Sequence, residues 1–166
     1  MAGLNWRDWL SRAGMTSLRL NMGFLETEFM PKDADRKAAW DLYVELLTRV
    51  ATQPIAPDHG DEKTALDSIH SLFATTRQVL KDNGPGCQHF AQIAVVVLNQ
   101  IVRPFTAKWH RMSMAGAFSL PENCGEFRKE LAALQVELSH YTRMLADMAG
   151  VEDLRAADPP PRSNEV

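Results

Sequence analysis

The sequence predicts an all-α protein, or an α protein with one minor β-hairpin, built as an antiparallel four-helix bundle with a short N-terminal helix and a disordered C-terminal tail. Three observations carry this expectation. Four segments of roughly 20–30 residues repeat apolar side chains at spacings of three and four, the period of one helix face. Clusters rich in Gly and Pro separate them. The chain of 166 residues, 45% apolar and 23% charged, has the composition of one globular domain with a single core.

Asn5 can cap a short helix over residues 6–13, which Gly14 is placed to stop. From Ser17 the period changes to two. Leu18, Leu20 and Met22 alternate with Arg19 and Asn21, and Leu25, Thr27 and Phe29 alternate with Glu26 and Glu28. With Gly23 between them, residues 17–30 read as a hairpin leaning on the helices, with continued helix as the alternative. After Pro31, Asp33 offers an N-cap for a helix to about Thr52. Trp40, Val44, Leu47 and Ala51 form one stripe on it and Tyr43, Leu46 and Val50 a second, a face wide enough for two neighbours.

Breakers at residues 53–60 follow, and Asp61 and Glu62 suit the start of the next helix. That helix carries Leu66, Ile69, Phe73, Thr76 and Leu80 and stops at residues 83–86. The next, over residues 87–112, carries Ala91, Val95, Leu98, Val102, Phe105, Trp109 and Met112 and ends near Gly116. Pro104 lies inside it, lacks the N–H that would bond the Gln100 carbonyl, and predicts a kink between the two. The last helix begins around Pro121 and carries Phe127, Leu131, Leu134, Leu138, Tyr141, Leu145 and Met148 before Gly150. Residues 155–166 have no apolar period and are expected to be disordered, which leaves 1–154 as a single helical domain.

A net charge of −3 and a pI near 5.9 give no general attraction for nucleic acid or an anionic membrane. No basic leader precedes an apolar core, and the longest apolar run, 93–98, is far shorter than a bilayer span, so a cytoplasmic protein without membrane contact is expected. Trp6, Trp9 and Leu10 share a face away from Arg7 and Asp8, and pack on the bundle or a partner in this reading. Cys87 and Cys124 have no zinc-ligand spacing near them and read as free thiols.

Helical bundles can hold two metal ions on inward carboxylates and histidines, and Asp67 with His70 and Glu137 with His140 have a suggestive spacing. In the frame of each apolar stripe these pairs flank the bundle axis or face away from it. Residues 87–112 contain no Asp or Glu. No metal and no other cofactor is therefore expected.

The most distinctive string is residues 98–110. Asn99, Arg103, Thr106 and His110 recur at spacings of four, three and four along one side of the helix, with Lys108 and Arg111 close by. The plain reading is a solvated face whose cations complement the helix C-terminus. Leu98-Asn99, two residues, an aliphatic residue, Arg103-Pro104-Phe105, two residues and Lys108-Trp109-His110 resembles a signature in small helical bacterial proteins of unassigned function. Some of those belong to multi-gene conflict or defence systems, so the resemblance implies an accessory role in such a system.

Arg103 and His110, separated by six residues, also resemble the Arg-and-His motif of HEPN ribonucleases, which are all-α. That resemblance implies metal-independent RNA cleavage, in which the cation holds a phosphate while His exchanges protons. Pro104 stands where that family usually has a polar residue. The function expected is a non-catalytic accessory or interaction component that binds a protein partner through Asn99, Arg103, Thr106, Lys108, His110 and Arg111. The alternatives are a HEPN-like ribonuclease using Arg103 and His110, with RNA as its partner, and a structural subunit that closes a homodimer.

Overall fold

The computed structural model describes residues 30–157; the helix expected at 6–13 and the hairpin expected at 17–30 lie almost wholly outside them. The described chain is all-α, with no strand among the described residues. Its elements are α1 (Asp33–Leu47), α2 (Glu62–Asn83), α3 (Gln88–Val96), a π-helical segment (Val97–Val102), α4 (Arg103–Met114) and α5 (Pro121–Ala149).

Helix α5 follows its sequence pattern throughout. Every residue of the stripe from Phe127 to Met148 is buried, Pro121 occupies the first turn, and Gly150 ends the helix at φ 74°, a left-handed conformation open to a residue without Cβ. Helix α2 follows its pattern closely: Asp61 accepts the Thr64 N–H at 2.8 Å as N-cap, Leu66, Ile69, Phe73 and Thr76 are buried, Leu80 is partly buried against the core, and Gly84 at φ 66° stops it.

Helix α1 departs from expectation in three ways. Lys32, not Asp33, is the N-cap residue, and Lys32 N–H donates to the Asp35 carboxylate at 3.0 Å. The helix ends at Leu47 rather than Thr52, because the Thr52 hydroxyl and the Gln53 amide bond back to the carbonyls of Leu46 and Leu47 and satisfy the helix end. Its buried face is also rotated. Ala38, Ala39, Leu42, Tyr43 and Leu46 are inside, whereas Trp40 and Val44 are 41% and 42% exposed. Helix α5 is the most extensive neighbour of α1, and with Ala38 and Ala39 on the buried side Trp40 is left facing outward.

The kink expected at Pro104 takes the form of the π-helical segment. Arg103 N–H bonds the Leu98 carbonyl five residues back, so the helix is already widened where the proline ring would clash. The extra residue rotates everything upstream by about one position. Downstream, Val102, Phe105 and Trp109 are buried as expected; upstream, the buried set is Phe90, Ile93, Ala94 and Val97, and Val95 is 44% exposed. The uninterrupted stripe through Ala91, Val95 and Leu98 is thus corrected by a single π turn.

Two side chains on α5 tie down the α1–α2 connection. Arg128 pairs with Glu62 at 2.6 Å and donates to the carbonyls of Ala56, Pro57, His59 and Gly60, while Gln135 donates to those of Val50 and Gln53. Asp35, fully buried, accepts Phe90 N–H at 3.0 Å and lies 3.0 Å from His89 Nδ1, joining the first turns of α1 and α3. Past Gly150 the order extends beyond the expected edge at residue 154: Leu154–Ala157 forms a 3-10 turn, and the Tyr43 hydroxyl accepts Leu154 N–H and bonds Asp153. Cys87 and Cys124 are free thiols, the first buried. By length and composition, the helical run Glu62–Met114 contains one window apolar enough to cross a membrane, with mean hydropathy 1.3. The apolar residues Phe90, Ile93, Val97 and Val102 in that run are buried in the protein core.

Candidate functional site

The π turn and Pro104 set the facing of α4, and with it the residues singled out in the string 98–110. Arg103 donates from Nε and Nη2 to Asn99 Oδ1 at 3.1 and 2.9 Å, and its guanidinium carbon sits 4.8 Å from the Phe73 ring centroid on α2. One turn on, Thr106 is buried and its hydroxyl donates to the carbonyls of Val102 and Arg103, as hydroxyls inside helices commonly do. Two turns from Arg103, the His110 ring meets His70 of α2 edge to face, with centroids 4.7 Å apart.

Arg103, Thr106 and His110 wall a groove of roughly 400 Å³ between α2 and α4, into which α2 contributes His70, Phe73 and Arg77. No carboxylate lines it. None of the ion pairs among the described residues involves Arg77 or Arg103. The groove is therefore a basic channel with two guanidiniums toward one end and two imidazoles toward the other. Arg103 keeps a free edge of its fork after bonding Asn99, a planar donor suited to carboxylate or phosphate.

Burial, reinforced by the neighbouring His70, depresses the basicity of His110 below the ordinary 6.5, with Asp67 opposing the shift. Its Nε2 is buried and has no hydrogen-bond partner among the described residues. The shift favours the neutral imidazole. A neutral imidazole can accept a proton from a ligand, or donate one hydrogen bond to it.

The six residues expected to act together do not form one surface. Asn99, Arg103, Thr106 and His110 belong to the α2 side, although Thr106 is floor rather than contact. Lys108 turns instead toward α5, where it ion-pairs with Glu130 and lies 4.9 Å from the Trp109 ring centroid. Arg111 is exposed and outside the groove lining. Arg77 is absent from the residues the sequence singles out, although His70, Ala74 and Arg77 recur at spacings of four and three beside the apolar stripe, a signal that marks one helix face. Asp67 pairs with Lys63 on the surface, and no group of three or more metal-ligating side chains gathers among the described residues.

Fold and groove together define an all-α protein with a basic inter-helical channel. No family model, curated protein or solved structure matches the chain.

Proposed function

We propose that the protein is a non-catalytic helical interaction component that grips an anionic group of a protein partner in the α2/α4 groove. The observation that supports this reading is the convergence of Arg77, Arg103, His70 and His110 on a channel with no lining carboxylate. Arg and His supply directed hydrogen bonds with broad contact area, the combination that concentrates binding energy at interfaces. We take the scaffold as an antiparallel four-helix bundle whose third arm is α3, the π segment and α4. In support, Phe73 meets Arg103 and His70 meets His110, so the pairs step in opposite directions along the two helices. We keep with this reading the cytoplasmic setting expected from the sequence, and the bacterial conflict-system role that the resemblance of residues 98–110 implies.

The test uses the products of the neighbouring genes as prey in a pull-down. Arg77→Ala and Arg103→Ala are expected to lose capture while each costs only about 0.5–1 kcal/mol of stability, the scale of an exposed cation–π contact or surface hydrogen bond. Capture that survives both substitutions overturns the groove as the binding site.

A second reading is favoured by one fact: Arg103 and His110 line the same groove, the arrangement a HEPN-like ribonuclease would need. Under it, purified protein cleaves RNA without metal and His110→Ala abolishes cleavage with the fold intact. Under the interaction reading the wild type leaves RNA whole.

A further inference from the structure

A second groove, of about 410 Å³, runs between α1 and α2 on a different face of the molecule. Its floor is Trp40, Val44 and Val79, and carboxylates rim it on both walls: Asp41 and Glu45 from α1 and Asp82 from α2. Trp40 and Val44, each about two-fifths exposed, are large apolar side chains that the sequence marks as core. A segment that fits this groove would be apolar along its centre and basic along both edges.

The chain carries such a segment. At 3.6 residues per turn, Trp6, Trp9, Leu10 and Ala13 fall on one helix face, Arg7 and Arg12 fall on its two flanks, and Asp8 lies opposite. We propose that residues 6–13 cover the α1/α2 groove of the same chain, with the tryptophans on Trp40 and Val44 and the arginines beside the rim carboxylates. The linking chain reaches. Residues 14–29 span on the order of 20 Å even as a coil, whereas Trp40 lies only ~10 Å along α1 from its start. The carboxylates already hold Lys37, Asn83, Arg49 and Gln78 within their own walls, so the arginines join an existing polar rim and the apolar centre supplies the affinity.

The test is fluorine NMR on the full chain labelled with 5-fluorotryptophan, the Trp40 line being assigned by its loss in Trp40→Phe. In the variant carrying Trp6→Ser, Trp9→Ser and Leu10→Ser together, the Trp40 line is expected to shift and to gain solvent exposure. A second variant, Arg7→Glu with Arg12→Glu, keeps the apolar face and is expected to shift the line in the same direction by less. It serves where the first variant fails to fold. Both shifts should be independent of protein concentration. A Trp40 line that stays in place in a folded variant overturns the proposal. A shift that grows with concentration also overturns it, because the cover is then a second copy of the chain.

Discussion

Trp109→Ala is expected to destabilise the protein by about 3–5 kcal/mol, which lowers the melting temperature by something on the order of 10 °C. The indole is wholly buried, stacked on Phe118 with centroids 5.9 Å apart and edge-on to Phe127 at 5.1 Å, and its Nε1–H donates to Glu130 at 2.8 Å. Truncation therefore opens an aromatic-sized cavity where α4 and α5 meet and also removes the indole donor from the Glu130 carboxylate, which keeps its ion pair with Lys108. Trp109→Phe separates the two losses: it restores much of the packing and leaves Glu130 without its indole donor, at a cost of about 1–3 kcal/mol. Thermal melts of wild type and both variants check the order. A Trp109→Ala protein that melts with the wild type would remove the aromatic cluster as a keystone of the fold. Arg103→Ala, two turns away but exposed, supplies the contrast: a melt as early as that of Trp109→Ala would make Arg103 a structural residue at the π turn, and the groove would lose its central contact.

Asp35→Ala is expected to cost about 2–4 kcal/mol, the scale of removing a buried carboxylate and leaving its backbone N–H donors without an acceptor. The carboxylate is fully buried and accepts from Lys32 N–H, Phe90 N–H and the His89 ring, so its removal orphans a buried N–H at the start of α3 and cuts the link between two helices. Burial alone would raise its pKa; the bonds from Phe90, Lys32 and His89 outweigh burial and hold it below the ordinary 3.8. A carboxyl more acidic in the folded state stabilises the fold fully above its unfolded value. That contribution is lost as pH falls through the lower folded value. Urea unfolding of wild type between pH 5 and the acid limit should thus show a decline that is shallower in Asp35→Asn. Equal declines in the two proteins would rule out Asp35 as the acid-sensitive lock.

Much of this was readable from spacing. The α5 stripe, the Asp61 cap, the Gly84 stop and the Pro121 start are local matters, decided within one or two turns by side-chain period and backbone chemistry. The groove was half legible. The string 98–110 named Arg103 and His110, but its partners His70 and Arg77 sit on another helix, and nothing in either helix alone says which faces meet. The same blindness grouped Lys108 with the groove, although its ammonium is drawn across α4 to Glu130.

By itself, then, the sequence determined the helical class, both ends of α2 and of α5, and most of the buried stripes of those two helices, because hydrogen bonding and amphipathic period act over a few residues. Tertiary structure alone decided three other things. It turned Trp40 outward, since the face of α1 that its neighbours cover carries Ala38, Ala39, Leu42, Tyr43 and Leu46 rather than the stripe through Trp40 and Val44. It inserted the π turn, since a proline's clash is relieved by whichever backbone shift the surrounding core accepts, and that shift moved the buried face by one residue. It buried Asp35, since a carboxylate in a first turn reads as an ordinary surface residue until a distant N–H, here that of Phe90, is brought within 3.0 Å of it. Each depends on what packs against a helix rather than on the helix, and long-range contact is the one quantity that local spacing does not contain.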